Sequence, residues 1–129
     1  MIVLAALVSA AAVGGSPAQV LPNCLGKPQV RPAQVVLTCA DANFYLKGIR
    51  WTGWGTSFAA GVGTAYANDC TPNCAAGHFH TYSAVLVASG RRPCTGGKTA
   101  YAKVEVAFIG PTPFPKSSVA DLTYPTRCG

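Results

Sequence analysis

The sequence predicts an all-β fold, a small antiparallel sandwich or partly open barrel stapled by disulfides. Three observations carry that expectation. Short runs rich in β-branched and aromatic residues recur from Gln34 to Phe108, punctuated by Gly, Pro, Asn and Asp. No segment spaces its apolar residues with a helical period. Six cysteines, at positions 24, 39, 70, 74, 94 and 128, all follow an apolar N-terminal stretch. An even cysteine count in an exported chain reads as a disulfide framework, useful where a small domain can bury only a modest core.

Residues 1–13 run MIVLAALVSAAAV, too short for a membrane span but suited to the apolar region of an export signal. Ser16 and Ala18 place small residues at −3 and −1, so cleavage is expected after Ala18, with the mature chain starting at Gln19. No Lys or Arg precedes Lys27, so the usual charged start of such a signal is missing and a start upstream of Met1 is compatible with the pattern. Pro22 and Asn23 before Cys24 argue against lipidation at that cysteine. The expected organisation is a signal peptide over 1–18, a disulfide-stabilised β domain over 19–110, and a Pro-rich tail over 111–129 tethered by Cys128.

Within the domain, 34–40 (QVVLTCA) and 44–51 (FYLKGIRW) form a predicted hairpin around Asp41-Ala42-Asn43. Segment 58–67 alternates large and small: Phe58, Ala60, Val62, Thr64 and Tyr66 share one face, and Ala59, Gly61, Gly63, Ala65 and Ala67 the other. The small face permits close approach by another backbone. Segment 82–88 is apolar on both faces, as in a central strand. Segment 100–108 alternates, with Ala100, Ala102, Val104, Val106 and Phe108 expected inward and Tyr101, Lys103 and Glu105 toward water. Between these strands, 90–98 (GRRPCTGGK) reads as a long hairpin loop. The prolines at 111, 113, 115 and 125 predict a tail that joins no ladder.

Pro72 and Asn73 favour a chain reversal that brings Cys70 and Cys74 together. The remaining expected bridges join Cys24 to Cys39, stapling the N-terminal arm to the first strand, and Cys94 to Cys128, holding the tail.

Charged residues make up 11% of the chain and half its residues are hydrophobic, which excludes a disordered or highly solvated protein. Ten Lys and Arg against four Asp and Glu give +6, a balance that favours anionic polymers or surfaces over cationic ligands. Simple solubility accounts for the same charge.

The candidate sites follow from residue types. Arg91 and Arg92, with Lys98 nearby, place cations on a loop suited to phosphate or carboxylate groups. Trp51-Thr52-Gly53-Trp54-Gly55 sets two indoles beside glycines, with Trp51 expected in the core and Trp54 partly exposed as a stacking surface. Cys70, Cys74, His78 and His80 are four donors of zinc-binding type, and Asp69 with the two histidines is a smaller metal set, but an exported CxxxC loop is expected to be oxidised. Ser57, His78 or His80, and Asp69 supply the residue types of a nucleophile, base and orienter, with no GxSxG elbow. Gly61-Val62-Gly63-Thr64 lacks the third glycine of a dinucleotide loop, and no carboxylates pair in a glycosidase pattern. No catalytic residue, metal or other cofactor is assigned.

The segments LTCADANFYL (37–46), WTGWG (51–55) and NDCTPNCAAG (68–77) resemble those of small secreted, cysteine-containing actinobacterial proteins of unassigned function. That resemblance implies export and disulfides and supplies no functional residues. RPAQVVLTC (31–39) is similar to part of the secreted subtilisin-inhibitor family of the same bacteria, without that family's reactive-site loop. The expected function is therefore a secreted, monomeric, non-catalytic β domain that binds an anionic envelope polymer or an extracellular partner, without nucleic acid and without stable membrane insertion. Two alternatives stay open: a protease inhibitor presenting 90–98, and a small metal-dependent enzyme using His78 and His80.

Overall fold

A computed structural model of the protein describes residues 19–114 and 122–129. The expected signal segment, and residues 115–121 of the Pro-rich tail, lie outside the described residues. Ten strands follow one another: β1 (Gln19–Pro22), β2 (Pro28–Gln29), β3 (Val35–Val36), β4 (Phe44–Thr52), β5 (Phe58–Asn68), β6 (Phe79–Ser89), β7 (Arg92–Pro93), β8 (Thr99–Ala100), β9 (Lys103–Phe108) and β10 (Thr123–Pro125). The larger sheet is antiparallel throughout, in the order β10-β9-β6-β5-β4-β3. A smaller sheet runs β2-β1-β8-β7, with β1 and β8 parallel. The all-β class expected from the sequence is the class observed.

The larger sheet curls into a half-barrel. Its two edge strands both line one cavity of about 630 Å³, Val35 and Val36 from β3 and Tyr124 and Pro125 from β10. Small residues make the curl possible. The inner face of β5 is Ala59, Gly61, Gly63, Ala65 and Ala67, and β6 adds Ala84 and Ala88 around Leu86. A Cβ added at Gly61 would stand 2.4 Å from Cγ2 of Ile49, and one at Gly63 would stand 2.8 Å from the carbonyl oxygen of Lys47. No side chain fits there without displacing β4. The space left by β5 is filled by Phe44, Leu46 and Ile49 from β4 and by Val104 and Val106 from β9. Gly48, at φ +64°, sits in the irregular register between Lys47 and Arg50 where β4 bends over this face.

The three disulfides join Cys24 to Cys39, Cys70 to Cys74 and Cys94 to Cys128, the pairs that the sequence suggests. They belong to an oxidising environment. No helix among the described residues is long and apolar enough to cross a membrane.

Several expectations need correction. The first hairpin is shorter than 34–40 implies, because Leu37 and Thr38 both donate to the carbonyl of Phe44 and end the regular ladder. Segment 90–98 is no free hairpin loop: Arg92–Pro93 pairs with β8 as β7, leaving a short 3-10 turn at Thr95–Gly97. Segment 100–108 is two strands, since the chain leaves the smaller sheet after Ala100 and enters the larger one at Lys103. That switch breaks the alternation, so Tyr101 is fully buried rather than facing water. The tail does join a ladder, with Thr123–Pro125 pairing as an edge strand against β9. Pro125 is tolerated because it ends an edge strand.

The inner face of β5 yields a direct test. Gly61→Val is expected to cost about 1–3 kcal/mol, or more if β4 cannot shift. Val62→Thr, on the opposite face, is expected to stay within about 0.5 kcal/mol. Urea denaturation of the two variants checks this, and equal losses would refute the packing argument.

Candidate binding surface

The same alternation that empties the inner face of β5 loads its outer face. Directly opposed residues in antiparallel strands project to one side, so Tyr45, Lys47 and Arg50 of β4 stand beside Tyr66, Thr64 and Val62 of β5. β6 continues these rows with Thr81, Ser83 and Val85, and Phe79 stands opposite Asn68 at the end. Tyr45 and Tyr66 stack with centroids 5.1 Å apart and planes 7° from parallel, and Phe79 packs on Tyr45 at 5.6 Å. The Nζ of Lys47 lies 5.7 Å and 5.6 Å from the two tyrosine centroids, within cation–π range. Phe79 and Val62 are nearly half exposed. The surface thus offers aromatic rings, hydroxyls of Thr64, Thr81 and Ser83, and the cations Lys47 and Arg50.

Electrostatics keep those cations available. Each Asp and Glu among the described residues already has a partner. Asp41 accepts the Asn43 N–H at 3.0 Å, which lowers its pKa. Glu105 lies 3.6 Å from Lys103. The Asp69 carboxylate accepts N–H groups of His78 and Thr71, both at 3.0 Å, and lies 2.9 Å from Nε2 of His80. The His78 N–H, then His80 and the Thr71 N–H, hold this carboxyl well below the usual carboxylate range.

The sites expected from the sequence fare differently. Trp54 and Trp51 exchange the expected roles. Trp54 is only 7% exposed and its Nε1–H donates to the carbonyl of Gln19 at 3.0 Å, whereas Trp51 is half-buried and donates to the carbonyl of Pro32 at 2.8 Å. The indoles meet edge to face, 5.0 Å apart, and form no flat platform. Trp54 is drawn inward because the 53–57 turn folds over the junction between the sheets. There the hydroxyl of Tyr101 accepts the Gly55 N–H at 2.7 Å and donates to the Thr56 carbonyl at 2.9 Å. Burial raises the pKa of that phenol, so it stays a donor.

Arg92 is half-buried, and its Nη1 donates to the carbonyl of Thr126, so it clamps the C-terminal segment instead of reaching out. Arg91 and Lys98 are exposed. His78 and His80 are exposed as well, but Cys70 and Cys74 are tied in a disulfide, which removes two zinc donors. Among the described residues no group of three or more His, Cys, Asp and Glu is gathered to hold a metal. Ser57 and Asp69 flank opposite ends of the eleven-residue strand β5. At about 3.3 Å per residue that strand keeps the serine far from Asp69 and its neighbour His80, so these groups form no triad.

The outer-face cluster escapes the sequence reading because alternation divides 58–67 into two faces without deciding which of them is outside. The signal that finds it is the pairing of two facts: one face of 58–67 is all small, and Tyr45 and Lys47 share a parity in the neighbouring strand.

No protein-family model matches the chain, and neither a curated protein nor a solved structure matches it significantly.

The Asp69 loop has a defined pH response. Because the folded state favours the carboxylate, its contribution is present above the ordinary Asp value of about 4 and is lost as pH falls below it. Amide protection at Thr71 and His78 is expected to hold at neutral pH and decline under strong acid. Asp69→Asn should weaken it already at pH 7 and flatten the acid response. NMR hydrogen exchange checks both, and wild-type protection that is unchanged in strong acid would refute the assignment.

Proposed function

We propose that the protein is an exported, non-catalytic β domain that binds an acidic polysaccharide of the cell envelope or extracellular space through the outer face of its larger sheet. The observation that carries this reading is Lys47 seated over the stacked Tyr45–Tyr66 pair, with Arg50 and a row of hydroxyls beside it. Aromatic rings offer apolar contact to sugar faces, hydroxyls pair with sugar hydroxyls, and cations meet carboxylate or sulfate groups. The +6 charge of the chain adds attraction at longer range. Export rests on the N-terminal sequence, and the three disulfides agree with an oxidising destination. Arg91 and Lys98 form a secondary patch in this reading, and Trp54 and Arg92 drop out of it because they serve the fold.

The test is retention on immobilised polygalacturonate, with dextran as the neutral control, at low and high salt. Retention is expected on the acidic polymer alone and should weaken steeply with salt, since the charge term is screened within about 10 Å at 0.1 M. Lys47→Ala with Arg50→Ala is expected to reduce affinity about tenfold, from about 0.5–1 kcal/mol for each exposed cation. Arg91→Ala with Lys98→Ala should change it little. Loss confined to the second pair would move the site to the 90–98 segment, and absence of retention at low salt would overturn the reading.

A further inference from the structure

Gln19 opens the described chain as a buried polar residue whose side-chain amide the fold leaves without a complete set of partners. The residue is 2% exposed. It pairs with Thr99 in the parallel β1–β8 contact, and its carbonyl accepts the indole N–H of Trp54. Its side-chain Nε2 is buried and has no hydrogen-bond partner among the described residues. A buried amide nitrogen left without an acceptor carries the full cost of its desolvation. Cleavage after Ala18, which is part of the export reading above, adds a second cost. It would leave an α-ammonium on this same buried residue, while Asp41, Asp69 and Glu105 are each engaged elsewhere.

We propose that residue 19 of the mature protein is a pyroglutamate. The uncharged α-amine of Gln19 attacks its own side-chain carbonyl carbon Cδ. The new N–Cδ bond closes a five-membered lactam, the Cδ–Nε2 bond breaks, and Nε2 departs as ammonia after taking up a proton given off by the attacking amine. No oxidant or other reactant enters. The step removes both unfavourable groups together: the partnerless Nε2 leaves, and the ammonium becomes a neutral lactam N–H. The backbone carbonyl of Gln19 is untouched, so the bond from Trp54 survives. An α-amine has an ordinary pKa of about 7.7–8.0, which leaves a reactive uncharged fraction near neutral pH. Ring closure precedes or accompanies docking of β1, and the fold then holds the lactam at the junction of the two sheets.

The inference is tested on full-length protein recovered from culture medium after export. The N-terminal peptide is identified by mass spectrometry, then treated with an aminopeptidase that releases only pyroglutamate, and the protein, reduced and unfolded so that residue 19 is accessible, is exposed to an amine-reactive label. A peptide that starts at residue 19, lighter by one ammonia, unlabelled at its α-nitrogen and sensitive to that enzyme supports the proposal. Gln19→Ala, which lacks the leaving amide, is expected to carry the label at residue 19. A wild-type peptide starting at Gln19 with its amide and a labelled amine would overturn the pyroglutamate and leave export standing. A wild-type chain that starts elsewhere, or that is not exported, would overturn the cleavage reading and the pyroglutamate with it.

Discussion

The alternation of β5 is the constraint on which the rest of the structure depends. A sheet curls tightly only if the concave side of its central strands is thin, and here that side carries Ala and Gly along β5 and Ala at two of the inner positions of β6. Ile49 and Trp51 occupy the volume that a side chain at Gly61 would claim, and β4 passes against Gly63 through the carbonyl of Lys47. The core is therefore supplied by the flanking strands, not by the centre. A sheet of this curvature brings β3 and β10 to one cavity. Its convex side receives the bulk that the concave side cannot hold, which is why Phe58 is 68% exposed and why Tyr66 and Val62 stand outward.

The second organising feature is the junction where the smaller sheet meets the half-barrel. Trp54 and Tyr101 pack edge to face 5.3 Å apart, and each spends its polar atoms on backbone from another part of the chain. Thr126 is bonded there too, through its hydroxyl to the carbonyl of Tyr101 and its N–H to the carbonyl of Ala102. Arg92 holds the same segment from the other side. Cys94–Cys128 thus secures a segment that backbone pairing has already placed, and Cys24–Cys39 fixes the N-terminal arm near β3 in the same way. Trp54 and Arg92, two of the side chains with the strongest chemistry in the sequence, are used to close this junction. The surface left for recognition lies on the opposite side of the sheet, built from residues that look unremarkable one at a time.

Much of this is legible in the amino-acid sequence. The long strands appear where β-branched and aromatic residues cluster, and β5 was readable almost residue by residue from its large–small alternation. The Cys70–Cys74 pair follows from short spacing and turn formers, and the other two bridges from the N-terminal arm and the tail that each would hold. The places where the reading failed share one cause. Arg92, Trp54 and Tyr101 each have a polar end that looks suited to water, yet each bonds to a backbone group 34 to 46 residues away. Local pattern carries no information about partners at that distance. The tail was misread for a related reason: four prolines argue against a ladder in general, but not against three residues at a sheet edge.

What the amino-acid sequence determined by itself is the all-β class, the long central strands, the closed Cys70–Cys74 loop and the division of β5 into a small face and a large one. A period of two separates faces but is silent on which of them is inside. Only the tertiary structure decided that. Close packing of β4 against Gly61 and Gly63 turned the small face inward, sent Tyr45, Lys47 and Tyr66 to the surface, and buried Trp54 and Tyr101 where the chain changes sheets. The physical reason is that burial of a face depends on what packs against it, and those neighbours come from strands distant in the chain.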